Sequence, residues 1–173
     1  MVEKSVPQPA VSRMVEVAGH PANVPPTDHR HRSASLARMV ALVALGGTAG
    51  TAARAQLEAT FLAPVGGWPW ATFGINLVGA FLLGILLESL VRSGRDTGWR
   101  RAVRLGCGTG ILGGFTTYST FVLEIEQLLR GGYTAIAVVY PVVSVLLGLM
   151  AAGTGVAVGA AGSRRRRAVK EEA

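Results

Sequence analysis

Four long apolar runs, each bounded by helix breakers or charged residues, leave this chain few ways to fold. They extend roughly over Leu36–Phe61, Trp68–Val91, Ala102–Leu129 and Tyr133–Gly162. A helix that crosses a bilayer needs about 20 mostly apolar residues, and each run is long enough. The first is the weakest, because Arg54 and Glu58 interrupt it. Pro64, Gly66 and Gly67 separate the first two runs, Ser93–Gly98 the next two, and Gly131-Gly132 the last two. Trp68 and Trp70 stand at a run's edge, where indole rings favour the membrane interface. Charged residues make up 16% of the chain, against about 25% in a soluble domain, and they gather between the runs. The pattern predicts an all-α membrane protein with four transmembrane helices over residues 37–162. A disordered cytoplasmic tail, residues 1–36, precedes them, and a basic cytoplasmic tail, residues 163–173, follows.

The tail over 1–36 is rich in proline, serine and charge, with no apolar period. Its His29-Arg30-His31-Arg32 carries two alternate histidines, a poor metal site in a flexible segment. It is not a signal peptide, since the first long apolar run begins too late. Met14 and Met39 are alternative starts, because nothing before Leu36 is needed for a membrane bundle. N-terminal mass analysis of the native protein checks this, and an intact Met1 or Val2 end contradicts it. Cys107, the single cysteine, excludes an intramolecular disulfide and sits among glycines as a small apolar residue. The net charge of +7 raises nucleic-acid binding, but the arginines flank the apolar runs, as topology requires, so no nucleic-acid partner is expected. Gly108-Thr109-Gly110-Ile111-Leu112-Gly113 fits the dinucleotide-binding spacing, yet lies inside an apolar helix with no preceding strand.

Small residues recur four apart at Gly46 and Gly50, at Gly106, Gly110 and Gly114, and at Ala151, Gly155 and Gly159. Such faces let helix backbones approach closely in lipid. The most informative stretch is Gly113-Gly114-Phe115-Thr116-Thr117-Tyr118-Ser119-Thr120-Phe121. Paired glycines followed by hydroxyl residues that can bond the backbone favour a break near the middle of the third helix. Broken backbone at membrane depth is tolerated where it is buried in protein or lines a watery cavity. Its freed carbonyls can bind a cation. Tyr118 and Phe121, three apart, share a helix face, and the positive edge of an aromatic ring can attract a small anion. The plainer alternative is a glycine-kinked helix with aromatic packing.

Other polar groups lie within the runs. Arg54 can draw anions into a vestibule or reach to the interface. Asn76 can donate to an anion or bridge two helices. Ser144, with Tyr140 one turn before it, can continue a polar track along the fourth helix.

Three segments together resemble the Fluc/CrcB fluoride channels. They are Gly46-Gly47-x-x-Gly50-x-x-x-Arg54, the Asn76 segment leading to Gly79-Ala80-Phe81-Leu82-Leu83-Gly84, and Gly106-Cys107-Gly108 leading to Gly114–Phe121. The resemblance covers about residues 39–160, and its most specific part is the Thr116–Phe121 run. It implies a fluoride-selective channel subunit, not an enzyme, that passively exports cytoplasmic fluoride through an antiparallel dimer in the lipid bilayer and so reduces fluoride toxicity. It implies a structural sodium ion (Na+) at the dimer centre, held by the backbone carbonyls of Gly113 and Thr116. It places Tyr118 and Phe121 in an aromatic box, Asn76, Ser119, Thr120, Tyr140 and Ser144 on a polar track, and Arg54 in a vestibule. The family usually carries Phe where this chain has Tyr118.

Fifteen of the 17 Lys and Arg residues fall on one side of the expected topology, leaving Arg54 and Arg130 on the other. By the positive-inside rule both termini are cytoplasmic in a multi-pass cell-membrane protein. An antiparallel homodimer calls for little bias, so the chain is expected to insert one way and pair with an oppositely oriented homologue. Tyr118 fits a two-chain channel in which one pore has degenerated. The alternative function is a proton-coupled small-molecule exporter of the four-helix antiparallel type. That requires a membrane-buried carboxylate, and Glu58, Glu88, Glu124 and Glu126 all lie near run ends. A non-transporting scaffold leaves the hydroxyls of the third run unexplained, and no nucleophile–base pair suggests an enzyme.

Overall fold

The computed structural model describes residues 29–171, with side chains over residues 34–164, and every regular element among them is helical. Helix α1 spans His29–Thr60, α2 Trp70–Ser93 and the short α3 Trp99–Val103. A π-helical stretch, Arg104–Leu112, leads into one turn, α4, Gly113–Phe115. After a break come α5, Ser119–Arg130, and α6, Thr134–Glu171. The expected tail over residues 1–36 falls outside the described residues as far as residue 28, and the helix is already formed at His29. The basic segment after residue 162 continues α6 without a stop, as far as Glu171.

Three helical segments are long and apolar enough to cross a membrane: Ala34–Thr60, Trp70–Ser93 and Thr134–Arg164. The third expected run is instead divided, and none of its pieces reaches spanning length alone. The spanning segments turn large apolar side chains outward, including Leu45, Val91, Leu149 and Met150. A water-soluble monomer rarely exposes so much contiguous apolar surface, whereas lipid tails solvate it.

The joints follow from turn chemistry. Gly66, Gly94, Gly98 and Gly132 all adopt positive φ, the region glycine enters without strain. Gly66 leaves room for the Tyr133 ring, which an added Cβ would strike. Asp96, in the turn before α3, pairs with Arg104 at 2.7 Å. Pro141 inside α6 offers no amide to the preceding turn, a loss that neighbouring groups can offset in membrane helices.

Small residues set the packing. A Cβ on Gly46 would collide with the Gly106 carbonyl, one on Gly50 with the Ile111 carbonyl, and one on Gly114 with the Gly47 carbonyl. These contacts press α1 against the π stretch and α4. Gly84 stands in the same relation to the Ala152 carbonyl, and Gly155 to the Phe81 carbonyl, so α2 lies close along α6. Without water to drive apolar surfaces together, such van der Waals approach is a main source of helix association in lipid.

Candidate ion pathway at the broken helix

The break falls at Thr116–Tyr118, two residues beyond the glycine pair expected to cause it. Gly113 and Gly114 remain helical, and Gly114 serves the close approach to α1 instead. Hydroxyl chemistry interrupts the helix. Thr116 turns extended (φ −77°, ψ 155°), and the Thr117 hydroxyl accepts the Thr120 amide at 3.1 Å, the bond of an N-terminal cap for α5. The Thr116 hydroxyl turns back to donate to the Leu112 carbonyl at 3.0 Å.

Asn76 on α2 fixes the open backbone from outside. Its Nδ2 donates to the Thr117 carbonyl at 3.0 Å, and its Oδ1 accepts the Thr117 amide at 2.9 Å. In an unbroken helix the Thr117 amide would bond the Gly113 carbonyl and the Thr120 amide the Thr116 carbonyl. Both amides go elsewhere, so the Gly113 and Thr116 carbonyls are released from the helical ladder. The Gly114 carbonyl between them is treated differently, accepting Arg54 Nε at 3.3 Å and the Thr51 hydroxyl at 3.4 Å.

A groove of about 460 Å³ opens on this backbone, lined in part by Asn76, Gly113, Thr116, Thr117, Tyr118, Phe121 and Ser144. The Ser144 hydroxyl is buried and has no hydrogen-bond partner among the described residues. Tyr118 is 79% exposed, with its ring centroid 6.2 Å from that of Phe121. The rings continue inward, Phe121 lying 5.0 Å from Tyr140 and Tyr140 5.3 Å from Trp68, edge to face. Trp68, expected at the interface, is thus part of this aromatic row.

The remaining expected residues lie off the groove. Arg54 pairs with Glu58 at 3.2 Å and also reaches the Thr120 hydroxyl at 3.4 Å. Ser119 is exposed and lies 3.3 Å, oxygen to oxygen, from the Thr117 hydroxyl. Tyr140 is fully buried behind Phe121. Its hydroxyl donates to Glu124 Oε2 at 2.9 Å, and buried Thr72 donates to Glu124 Oε1 at 2.6 Å. Glu124, read as a carboxylate near a run's end, is half-buried there and accepts two hydroxyls from two other helices, partners its position did not reveal. Its place three residues after Phe121, on one helix face, was the available signal. Thr117, the hub of the break, was legible only as one hydroxyl among several.

Among the described residues no cluster of His, Cys, Asp and Glu could hold a metal ion. The oxygen atoms near the groove are neutral, those of backbone carbonyls, hydroxyls and the Asn76 amide.

Apolar spanning helices and a clamped backbone break beneath a ring-edged, largely apolar groove with a few polar groups define a small helical membrane protein organised around one interrupted helix. Residues 41–156 match the CrcB-like protein, Camphor Resistance (CrcB), family, and the chain belongs to it. Relatives carry the name fluoride-specific ion channel FluC. One from Cutibacterium acnes is 47% identical over 66% of this chain and 80% of its own length. One from Leifsonia xyli subsp. xyli is 47% identical over 75% of this chain and 88% of its own. One from Deinococcus radiodurans is 45% identical over 68% and 92%.

Proposed function

We propose that this chain is a fluoride-selective channel subunit that lets cytoplasmic fluoride leave the cell passively and so limits its toxicity. The observation that carries the reading is the Asn76–Thr117 clamp, which holds the broken segment open beside the groove of a chain whose relatives bear the name of fluoride channels. A fluoride ion entering the groove gives up water, and the lining offers replacements without a buried full charge. The Ser144 hydroxyl has a hydrogen to donate, Asn76 keeps a second N–H, and Tyr118 and Phe121 present rings with positive edges. Neutral donors and ring edges hold an anion weakly enough for it to move on, as conduction requires.

The assembly belongs to the same proposal. Each chain contributes four spanning segments, the broken third among them, and two chains pair antiparallel in the bilayer. The released carbonyls of Gly113 and Thr116 fit a structural sodium ion at the dimer centre, because an alkali cation takes neutral carbonyl oxygens where backbone is unwound. Bound there, sodium would offset the partial negative charge of the two released carbonyls. Both termini are cytoplasmic, and the one-sided arginines favour a single insertion direction and an oppositely oriented homologue as partner.

Fluoride efflux from liposomes containing the purified chain, read with an electrode beside a chloride control, tests this function. Rapid fluoride release without chloride is expected, and release of both anions would contradict selectivity. One observation favours a second reading, a proton-coupled exporter: Glu124 is a half-buried carboxylate held by two hydroxyls, the residue type such a protein needs. That reading requires efflux to follow an imposed proton gradient at zero membrane potential, whereas a passive fluoride pore responds to the fluoride gradient.

A further inference from the structure

Arg54 makes contacts that an anion-attracting vestibule residue has no need of. Its Nε donates to the Gly114 carbonyl, before the break, and its Nη1 to the Thr120 hydroxyl, after it. Glu58, one turn on along α1, accepts from the same Nη1 through both carboxylate oxygens at 3.2 Å. The Thr51 hydroxyl, on the preceding turn, adds a second bond to the Gly114 carbonyl. The Gly114 carbonyl is the one whose helical donor would have been the Tyr118 amide, so Arg54 supplies part of what the break takes away. Guanidinium has several donors in a rigid plane and can tie two points at once, which an ammonium cannot do in the same way.

We propose that Arg54, held by Glu58, is a positioning residue that staples the two sides of the break together. It fixes the spacing between α4 and α5, and hence between the groove's ring edges and the released carbonyls. Asn76 clamps the middle of the break from α2, and Arg54 ties its two shoulders from α1. Glu58 neutralises the guanidinium, so the pair sets geometry and contributes little net field to passing anions. The proposal rests on the fluoride-channel reading for its functional consequence, but not for its structural one.

The two roles of Arg54 give opposite signs when Glu58 is neutralised. Glu58→Gln removes a negative charge, so an anion-attracting Arg54 would draw fluoride faster. The staple predicts slower efflux, on the order of tenfold, because charge-assisted hydrogen bonds that hold the guanidinium are weakened. Arg54→Lys keeps the charge; the staple predicts a fall of similar size, unchanged between low and high ionic strength, together with a lower fluoride-to-chloride ratio in single channels. A general loss of folded protein would reduce the number of channels and leave that ratio alone. Amide hydrogen exchange in detergent gives an independent reading that needs no transport. Peptides covering residues 113–120 are expected to exchange faster in both variants, with those of α6 unchanged. Wild-type efflux in Arg54→Lys, faster efflux in Glu58→Gln, or unaltered exchange over 113–120 would each overturn the staple. Failure of the wild-type chain to pass fluoride would instead count against the channel reading, while the exchange measurement still judges the staple.

Discussion

Asn76 directs both ends of its amide at a single backbone residue, and that choice explains how a helix can stay open at membrane depth. An unmade hydrogen bond on a buried polar group costs about 1–3 kcal/mol, and without Asn76 both the Thr117 amide and carbonyl lose their partner. Asn76→Leu is therefore expected to lower the thermal midpoint in detergent and to abolish fluoride efflux, while Asn76→Asp, which keeps the acceptor, retains part of the stability. A leucine variant as stable as wild type would remove the clamp from the account. At Tyr118 the ring edge matters and the hydroxyl does not in the pathway proposed. Tyr118→Phe should conduct fluoride at close to the wild-type rate and Tyr118→Leu much more slowly, in the same efflux measurement. Residue by residue, the sequence showed which side chains were unusual but not their partners. Asn76 stood between anion donor and helix bridge, because its partner lies 41 residues away. Glu124 was passed over because its distance from a run's end says nothing of Thr72, 52 residues earlier, whose hydroxyl donates to it.

Among the elements, the three uninterrupted helices were legible because length and apolar content alone define them. The interruption was legible as well, although its cause was not. Adjacent glycines suggested the break, yet they stay helical; the Thr116 hydroxyl bonds the last turn before the break and the Thr117 hydroxyl accepts an amide from the first turn after it. The glycines answer to packing, which depends on a neighbouring helix that sequence spacing does not identify. A graded prediction follows from that packing. Gly50→Ala and Gly155→Ala put a methyl into the Ile111 and Phe81 carbonyls, and overpacking of this kind costs about 1–3 kcal/mol. Gly153→Ala, on the same helix as Gly155 but with nothing within 4 Å of its added Cβ, should be neutral. Thermal unfolding of the three variants in one detergent checks the order, and equal losses at positions 153 and 155 would contradict the helix pairing. The π-helical stretch was not foreseen, since Gly106 and Gly110 read from sequence as part of a packing face.

For the whole molecule, charge is the most informative property. With 15 of 17 basic residues on one side of the proposed topology, insertion in a single direction is expected. Reporter fusions at the C-terminus should give a cytoplasmic signal alone, and equal signals from both faces would defeat the fixed orientation. A chain held in one direction cannot pair antiparallel with its own copy, so under the proposed antiparallel architecture the charge bias would call for a second, oppositely inserted subunit. The groove at the break is open in the single chain and presents Tyr118 outward, as an element completed by a neighbour would. Whether this chain forms a fluoride pathway is decided by fluoride efflux from liposomes. Reconstitution from detergent bypasses the cellular insertion machinery, so the proposed insertion bias does not prevent the purified chain from pairing in both orientations. Rapid fluoride release with chloride retained is expected. Release of chloride alongside fluoride, or no fluoride release either alone or with an oppositely oriented homologue present, would contradict it.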